Sequence, residues 1–162
     1  MQFALENSKL LSLEEISLKR QELSNAGKRL VLTNGCFDLL HVGHVSSLKA
    51  AKACGDILWV GINGDESVRR LKGPTRPIQS ECERAYILGA LACVDGVFIF
   101  HDVDLAKEIS LVKPDIYVKS GDYTLEKLNP SELEALKRCQ AEIRFLPFIP
   151  NFSTSGIIKR LS

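Results

Sequence analysis

Two of the three histidines in the chain, His41 and His44, stand three positions apart directly after a short apolar segment. At the start of a helix, this spacing turns both imidazoles to the same side. Gly43, between them, has no side chain that would keep a ligand away from the backbone. The unpaired N–H groups in the first turn of such a helix favour an anion. The cluster therefore predicts a site that binds a phosphate-bearing ligand.

Two other uses of these residues are less well supported. A zinc site built from Cys36, His41 and His44 needs a fourth ligand, and none is evident. A Cys36 nucleophile with a histidine base is also disfavoured, because Cys36 stands between Gly35 and Phe37 without an orienting partner. The five cysteines include no C-x-x-C pair, which is typical of small buried residues in a reducing compartment.

Around this cluster, helical and extended patterns alternate along the chain. Ser12 with Glu15 and Ser80 with Glu83 have the spacing of capping boxes, which mark helix starts. Helices are predicted over residues 12–26, 42–54, 66–71, 80–93 and 105–112, from 129 onward, and from 153 to 161. Strands are predicted over residues 29–33, 56–63, 97–100, 115–119 and 143–148, each apolar over most of its length.

This alternation predicts an α/β fold, a Rossmann-like doubly wound parallel sheet with right-handed crossovers. We expect a single domain over residues 1–162, with a helical N-terminal extension at 1–27 and the Rossmann-like core at 28–162. Ligands of such sheets bind beyond the carboxyl ends of the strands, near the point where the strand order reverses. The predicted phosphate site follows the first strand and therefore lies at that end of the sheet.

The overall charge limits the partners. The chain has 162 residues and a formal net charge of +1, with 21 Lys+Arg against 20 Asp+Glu. Such a balance argues against a nucleic acid polymer or an anionic membrane as the partner, because binding to either needs concentrated positive charge. The sequence has neither a long apolar run nor a signal peptide, so we expect a cytoplasmic protein.

The phosphate-site segment also resembles a known motif. Residues 35–44, GCFDLLHVGH, resemble the G-x-F-D-x-x-H-x-G-H signature of the cytidylyltransferase-like nucleotidyltransferases. The resemblance continues through residues 72–73, 76–78, 83–84, 94–95, 114–123 and 153–155. Within that superfamily the chain is most similar to the heptose 1-phosphate adenylyltransferases, in a form without a fused kinase domain. Ser120 replaces a glycine that is usual in that branch, and Ser153 stands where glycerol-3-phosphate cytidylyltransferases usually carry arginine.

This resemblance implies transfer of AMP from ATP to D-glycero-β-D-manno-heptose 1-phosphate, giving ADP-heptose and pyrophosphate for lipopolysaccharide or another surface glycan. It implies catalytic roles for His41, His44 and Lys72. The implied nucleotide-binding residues are Asn34, Gly35, Cys36, Phe37, Gly43, His44, Lys119, Gly121, Ser153 and Thr154. The implied substrate-binding residues are Asp38, Lys72, Arg76, Arg84 and Asp122.

Mg²⁺ is the expected companion of ATP, held mainly by phosphate oxygens, with Asp38 as a candidate ligand. A homodimer or higher homo-oligomer is also implied. Several residues have equally good structural explanations: Asp38, Ser153 and Thr154 as helix caps, and Arg84 as half of a surface ion pair with a glutamate. Two other functions remain open, a cytidylyltransferase for glycerol 3-phosphate or another alcohol phosphate and a non-catalytic nucleotide-binding module.

Overall fold

The computed structural model describes residues 7–147 and 152–161, and five strands within them form one parallel sheet. The strands are β1 Leu30–Gly35, β2 Ile57–Asn63, β3 Gly96–Phe100, β4 Ile116–Ser120 and β5 Glu142–Leu146. Their order in the sheet is β3-β2-β1-β4-β5, so the direction of winding reverses between β1 and β4. This confirms the predicted Rossmann-like doubly wound sheet and places the switch point beside the histidine cluster.

Seven α-helices and one 3₁₀ helix occur in the described part of the chain. Both capping boxes are present: the Ser12 side chain accepts from the Glu15 N–H, and the Ser80 side chain accepts from the Glu83 N–H. The α-helices are α1 Leu13–Asn25, α2 Val42–Lys52, α3 Asp65–Lys72, α4 Glu81–Gly89, α5 Ala106–Val112, α6 Pro130–Cys139 and α7 Thr154–Leu161. None of them is long and apolar enough to cross a membrane.

The largest difference from the predicted elements is the end of α4. Helix α4 ends at Gly89, four residues before the predicted end, because Asp95 is already bound to β2: its N–H donates to the Leu58 carbonyl and its carboxylate accepts from the Leu58 N–H. The chain therefore needs residues 90–94 to turn back to the sheet. The 3₁₀ helix Leu125–Lys127 was not predicted. The predicted last strand extends to residue 148, which lies outside the described residues.

The N-terminal segment is tied to the sheet. Before α1, the Leu11 N–H donates to the Val97 carbonyl at 2.7 Å, and the Val97 N–H donates to the Lys9 carbonyl at 2.8 Å, so this segment pairs with the free edge of β3. Within α1, Ile16 is fully buried and the helix packs against α5, whereas Leu18 is 68% exposed. The extension thus covers a sheet edge that would otherwise be open to another chain.

The two faces of the sheet carry separate apolar clusters. One cluster includes Ile109 of α5 and Leu136 of α6, and the other includes Leu48 of α2 and Leu88 of α4. Because side chains alternate along a strand, neighbouring residues of β4 enter different clusters: Tyr117 lies in the first and Val118 in the second. Strand β4 therefore contributes side chains to the apolar clusters on both faces of the sheet.

Candidate functional site

A cavity of about 620 Å³ opens at the carboxyl ends of β1 and β4. Its lining comes from the β1–α2 segment, α3, the end of β4, the start of α6 and the start of α7. The lining residues predicted from the sequence are Asn34, Gly35, Cys36, Phe37, Asp38, His41, Gly43, His44, Lys72, Arg76, Lys119, Ser153 and Thr154. The structure thus brings together, at the switch point, thirteen predicted residues from distant parts of the sequence.

The two histidines form a stacked pair. Their ring centroids are 3.8 Å apart with 23° between the planes, and the His44 ring is 5.3 Å from the Phe37 ring. Burial, together with the neighbouring His41, lowers the His44 pKa to about 4, and burial also lowers the His41 pKa. Both imidazoles are therefore neutral at pH 7. The buried Nδ1 atoms of both rings have no hydrogen-bond partner among the described residues.

Gly43 is needed where the backbone approaches these rings. A Cβ added at this position would lie 3.0 Å from His41 Cε1 and 3.2 Å from Phe152 Cβ. Both distances are shorter than ordinary contacts between such atoms. A larger residue would push His41 or Phe152 out of position, which agrees with the sequence argument that glycine keeps this turn open.

The segment between β1 and α2 has a strained backbone and is held in place by hydrogen bonds from the loop after α3. Phe37 and Leu39 have φ values of 48° and 50°, a left-handed conformation that large residues rarely adopt. Between them, the buried Asp38 carboxylate accepts from Arg76 Nε at 2.6 Å and from the Ile78 and Gln79 N–H groups. These bonds connect the strained segment to the loop after α3 and fix the conformation that carries Phe37 against His44.

The expectation that Asp38 binds Mg²⁺ or substrate is not supported by this arrangement. The Asp38 side chain is fully buried, and its oxygens already accept from a guanidinium and two backbone N–H groups. Burial by itself would raise the Asp38 pKa, but the bonds from Ile78, Gln79 and Arg76 hold it below its ordinary value. The carboxylate is ionised and saturated. No group of three or more His, Cys, Asp or Glu side chains in residues 7–147 and 152–161 is arranged to hold a metal.

The three cations predicted to bind substrate have different surroundings. Lys72 ends α3, is exposed and lines the cavity. Arg76 also lines the cavity, but its Nε is used by Asp38, so part of its charge is compensated. Arg84 does not line the cavity.

The predicted role of Arg84 in substrate binding is therefore not supported by the structure. Its side chain is fully buried and donates to the Gln79 carbonyl, to the Cys36 carbonyl at 2.7 Å and to Asp65 Oδ1 at 2.7 Å. The alternative, a surface pair with a glutamate, is wrong. Arg84 joins α4 to α3 and to the β1–α2 segment, because a guanidinium has enough donors to reach three acceptors at once.

At the end of β4, one of three predicted residues lies in the lining. Lys119 is half-buried, with its ammonium 5.2 Å from the Tyr123 ring centroid, and burial lowers its pKa. Gly121 has φ 122° and donates its N–H to the Leu146 carbonyl, so it forms the turn but does not line the cavity. The Asp122 side chain is 93% exposed and pairs with Lys127, so the predicted contact with substrate is not supported.

At the start of α7, the predicted helix-cap bond is present at Ser153 but not at Thr154. Ser153 Oγ accepts from the Gly156 N–H at 3.1 Å, as an N-cap does, and Thr154 Oγ1 donates to the Asp38 carbonyl at 2.8 Å. Both residues also line the cavity, together with Ser155. The helix start therefore faces the cavity and is tied to the segment that carries the histidines.

The remaining predicted residues belong to the floor of the cavity. Asn34 Oδ1 accepts from the Tyr117 hydroxyl at 2.8 Å. Burial raises the Cys36 pKa, so this residue is a thiol and not a ready nucleophile. Its Sγ lies 3.8 Å from Asn63 Oδ1.

Some lining residues were not predicted from the sequence. Asn63 ends β2, Lys127 follows the turn after β4, Glu132 lies in the first turn of α6, and Phe152 precedes α7. Asn63 could have been inferred as the polar end of a buried strand. Glu132 carried no such signal, because an acidic residue in the first turn of a helix usually stabilises the helix dipole.

Comparisons with known proteins agree with this architecture. The model of the cytidylyltransferase-like family matches residues 32–160. The chain is 46% identical over 148 residues to the Bifunctional protein HldE of a Nitratiruptor species, covering 91% of this chain and 31% of that protein. It is 46% identical over 153 residues to the Bifunctional protein HldE of Helicobacter pylori, covering 94% of this chain and 31% of that protein. The chain therefore spans about a third of the length of these relatives.

Solved structures show the same fold. A lipopolysaccharide core biosynthesis protein from Thermoplasma volcanium is 31% identical with a TM-score of 0.62, covering 76% of this chain and 98% of that chain. A pantoate-beta-alanine ligase from Francisella tularensis is 15% identical with a TM-score of 0.57, covering 92% of this chain and 75% of that chain, and shows the fold alone. With the family model matching most of the sequence, the chain belongs to the cytidylyltransferase-like family of nucleotidyltransferase enzymes.

Proposed function

We propose that this chain transfers AMP from ATP to D-glycero-β-D-manno-heptose 1-phosphate, releasing pyrophosphate and forming ADP-heptose for lipopolysaccharide or another surface glycan. In this reaction an oxygen of the sugar phosphate forms a bond to the α-phosphorus of ATP. The bond from that phosphorus to the oxygen bridging the β-phosphate breaks, and the pyrophosphate carries away the electron pair. Such a transfer needs positioning and charge stabilisation more than covalent help from the protein.

The observation that carries this proposal is the stacked pair His41 and His44 at the switch point of the sheet. The rings are 3.8 Å apart and face the cavity beside Lys72 and the start of α7. A neutral imidazole donates one ring N–H, so the pair supplies two donors to an α-phosphate without the repulsion of two imidazolium charges. One such donor contributes about 3 to 4 kcal/mol to stabilising the transition state.

The other groups around the cavity have complementary tasks. Lys72 supplies an exposed cation for the phosphates that carry the most charge. The N–H groups and hydroxyls at the start of α7, including Ser153, support binding of the β- and γ-phosphates. Asp38 and Arg84 act indirectly, because their buried bonds hold the β1–α2 segment in the conformation that presents the histidines.

Mg²⁺ remains part of the proposal as the companion of ATP. It would supply charge neutralisation for the triphosphate. The described residues offer no set of carboxylates to hold it, so phosphate oxygens and water would be its main ligands.

The choice of a heptose phosphate is supported by relatives. The motif around His41 and the segment 118–123 resemble the heptose 1-phosphate adenylyltransferases. The structural neighbour described as a lipopolysaccharide core biosynthesis protein is consistent with that pathway. The exposed Leu13 and Leu18 of α1 support the further proposal of a homo-oligomer, which light scattering after size exclusion would test.

The experiment that tests the function compares two nucleotides and two acceptors. Purified protein with Mg²⁺ is incubated with ATP or CTP and with heptose 1-phosphate or glycerol 3-phosphate, and both pyrophosphate and the nucleotide product are measured. ADP-heptose formed with ATP and heptose 1-phosphate supports the proposal. Turnover with CTP and glycerol 3-phosphate alone would favour a cytidylyltransferase, and nucleotide binding without turnover in any mixture would favour a non-catalytic module.

A further inference from the structure

Glu132 is a buried carboxylate at the cavity that no step of the proposed reaction uses. Its residue is 5% exposed and lies in the first turn of α6, among the residues lining the cavity. Its Oε1 accepts from the Leu105 N–H at 3.0 Å, and its Oε2 lies 3.2 Å from the Tyr117 hydroxyl. A buried ionisable group is unfavourable unless it is paired, so its presence beside a ligand cavity calls for an explanation.

The Glu132 carboxylate has unused hydrogen-bond acceptor capacity, because the Tyr117 hydroxyl is shared between two acceptors. It lies 2.8 Å from Asn34 Oδ1 and 3.2 Å from Glu132 Oε2, and it has one proton to donate. The shorter bond goes to Asn34. Glu132 Oε2 then accepts at most a weak share of that proton, and a carboxylate has about four acceptor positions. Glu132 therefore has capacity for donors that come from a ligand.

The strands place a donor beside this acceptor. Tyr117 and Lys119 are two residues apart on β4 and point to the same face of the sheet, the face that α5 and α6 cover. The Lys119 ammonium lies 5.7 Å from the Tyr117 ring centroid, and the charge of Glu132 partly opposes the lowering of the Lys119 pKa by burial. A carboxylate and an ammonium thus act on the same region of the cavity.

The phosphate-binding groups come from the opposite face. His41 and His44 begin α2, and α2 packs through Leu48 into the other apolar cluster. Glu132 would repel a phosphate, so the negatively charged part of a substrate belongs on the α2 side. A neutral group that carries both donors and acceptors fits the α6 side, and a sugar with neighbouring hydroxyls is such a group.

We propose that Glu132, with Lys119 beside it, forms a subsite that binds the neighbouring hydroxyls of a substrate sugar, with Glu132 accepting from them. The inference rests on the proposed function, in which both substrates contain such hydroxyls: the acceptor sugar and the ribose of ATP. Glu132 is a specificity-determining residue in this scheme, and the His pair remains the group that acts on the reacting phosphate.

The test measures KM for ATP and for heptose 1-phosphate separately in Glu132→Gln. The amide keeps an oxygen for the Leu105 N–H, so the fold is retained, but it loses the charge that strengthens bonds from hydroxyls. We expect KM for one substrate to rise roughly 10- to 100-fold, with a smaller change in kcat. A rise for heptose 1-phosphate assigns the subsite to the acceptor sugar, and a rise for ATP assigns it to the ribose.

The matched control is Glu108→Gln. Glu108 is also 5% exposed, lies on α5 and is absent from the cavity lining, so both KM values should stay at the wild-type level. The proposal is overturned if Glu132→Gln turns over with both KM values within twofold of wild type. It is equally overturned if Glu108→Gln produces the same rise, since the effect would then be a general response of the fold.

A second measurement needs no variant. The wild-type protein is assayed with 2′-deoxy-ATP and with a 2-deoxy sugar 1-phosphate, and one of the two should show the raised KM. Unchanged KM for both analogues would contradict the subsite. Absence of product when wild type is given ATP and heptose 1-phosphate would instead count against the proposed function, so the two failures are distinguishable.

Discussion

Replacing His44 by alanine separates the chemical role of the histidine pair from its structural role. The variant removes one of the two donors that we assign to the α-phosphate. Loss of such a donor raises the activation barrier by about 3 to 4 kcal/mol, so kcat should fall roughly 10²- to 10³-fold. Stability at pH 7.5 should change by less than about 1 kcal/mol: the variant loses ring contacts with His41 and Phe37, but it also loses a buried Nδ1 without a partner.

The pH dependence of stability gives an independent check. The His44 pKa is lowered from 6.5 to about 4 in the folded protein. As the pH falls below 6.5, the unfolded chain binds a proton that the folded protein does not bind until about pH 4. Wild type therefore loses stability over that window, and His44→Ala loses less, because it keeps the contribution of His41, whose pKa burial also lowers, but not that of His44. A shift of this pKa from 6.5 to about 4 would lower the free energy of unfolding by about 2 kcal/mol at pH 5. Because the ring is partly exposed to solvent, we expect a loss between about 1 and 2 kcal/mol.

The assay combines pyrophosphate release at saturating ATP with urea unfolding at pH 7.5 and pH 5. His101→Ala is the matched control, because His101 is exposed and does not line the cavity. Its turnover should match wild type. A His44→Ala variant that keeps more than a tenth of wild-type turnover would refute the role in the transition state. Equal changes of stability with pH in wild type and His44→Ala would refute the view that burial keeps this imidazole neutral.

Three further substitutions test the surroundings of the pair. Gly43→Val should weaken ATP binding at least tenfold in calorimetric titration, because its side chain would displace His41 or Phe152, and unchanged affinity would contradict the close approach. Asp38→Asn should lower the free energy of unfolding by about 3 kcal/mol at pH 7, since the Arg76 pair is largely buried. The Asp38 pKa is lowered in the folded protein, so this stability is present above the ordinary pKa and is lost as the pH falls through the folded value; urea unfolding of wild type and variant should converge in acid. Arg84→Ala should lower the free energy of unfolding by about 3 to 5 kcal/mol, because it leaves buried acceptors unpaired. If the variant instead had a raised KM and an unchanged free energy of unfolding, Arg84 would contact the substrate after all.

Much of the fold could be predicted because its signals are local. The capping boxes at Ser12 and Ser80 depend on hydrogen bonds between residues three positions apart, so they are readable from the sequence and are present in the structure. The end of α4 was not readable in this way. It depends on Asp95 reaching Leu58 on a neighbouring strand, which is a contact between distant parts of the chain.

The same distinction holds for the site. His41, Gly43 and His44 were found because their chemistry and their spacing coincide within one turn of helix. Arg84 was misplaced because residue type and position in a helix do not reveal which way a long side chain runs or what it meets. Its three acceptors come from α3, the β1–α2 segment and the loop before α4.

The sequence by itself determined the alternation of strands and helices, the position of the histidine pair at the end of β1 and the identity of the family, because periodicity, caps and a compact motif are properties of neighbouring residues. Only the tertiary structure decided which charges are available to a ligand. Asp38 and Arg84 are both engaged in buried ion pairs. Asp122 is exposed to solvent, whereas Glu132 of α6 lines the cavity. The physical reason is that the state of a charge depends on its burial and on its partners, and in this fold those partners are brought together by the sheet from distant segments of the chain.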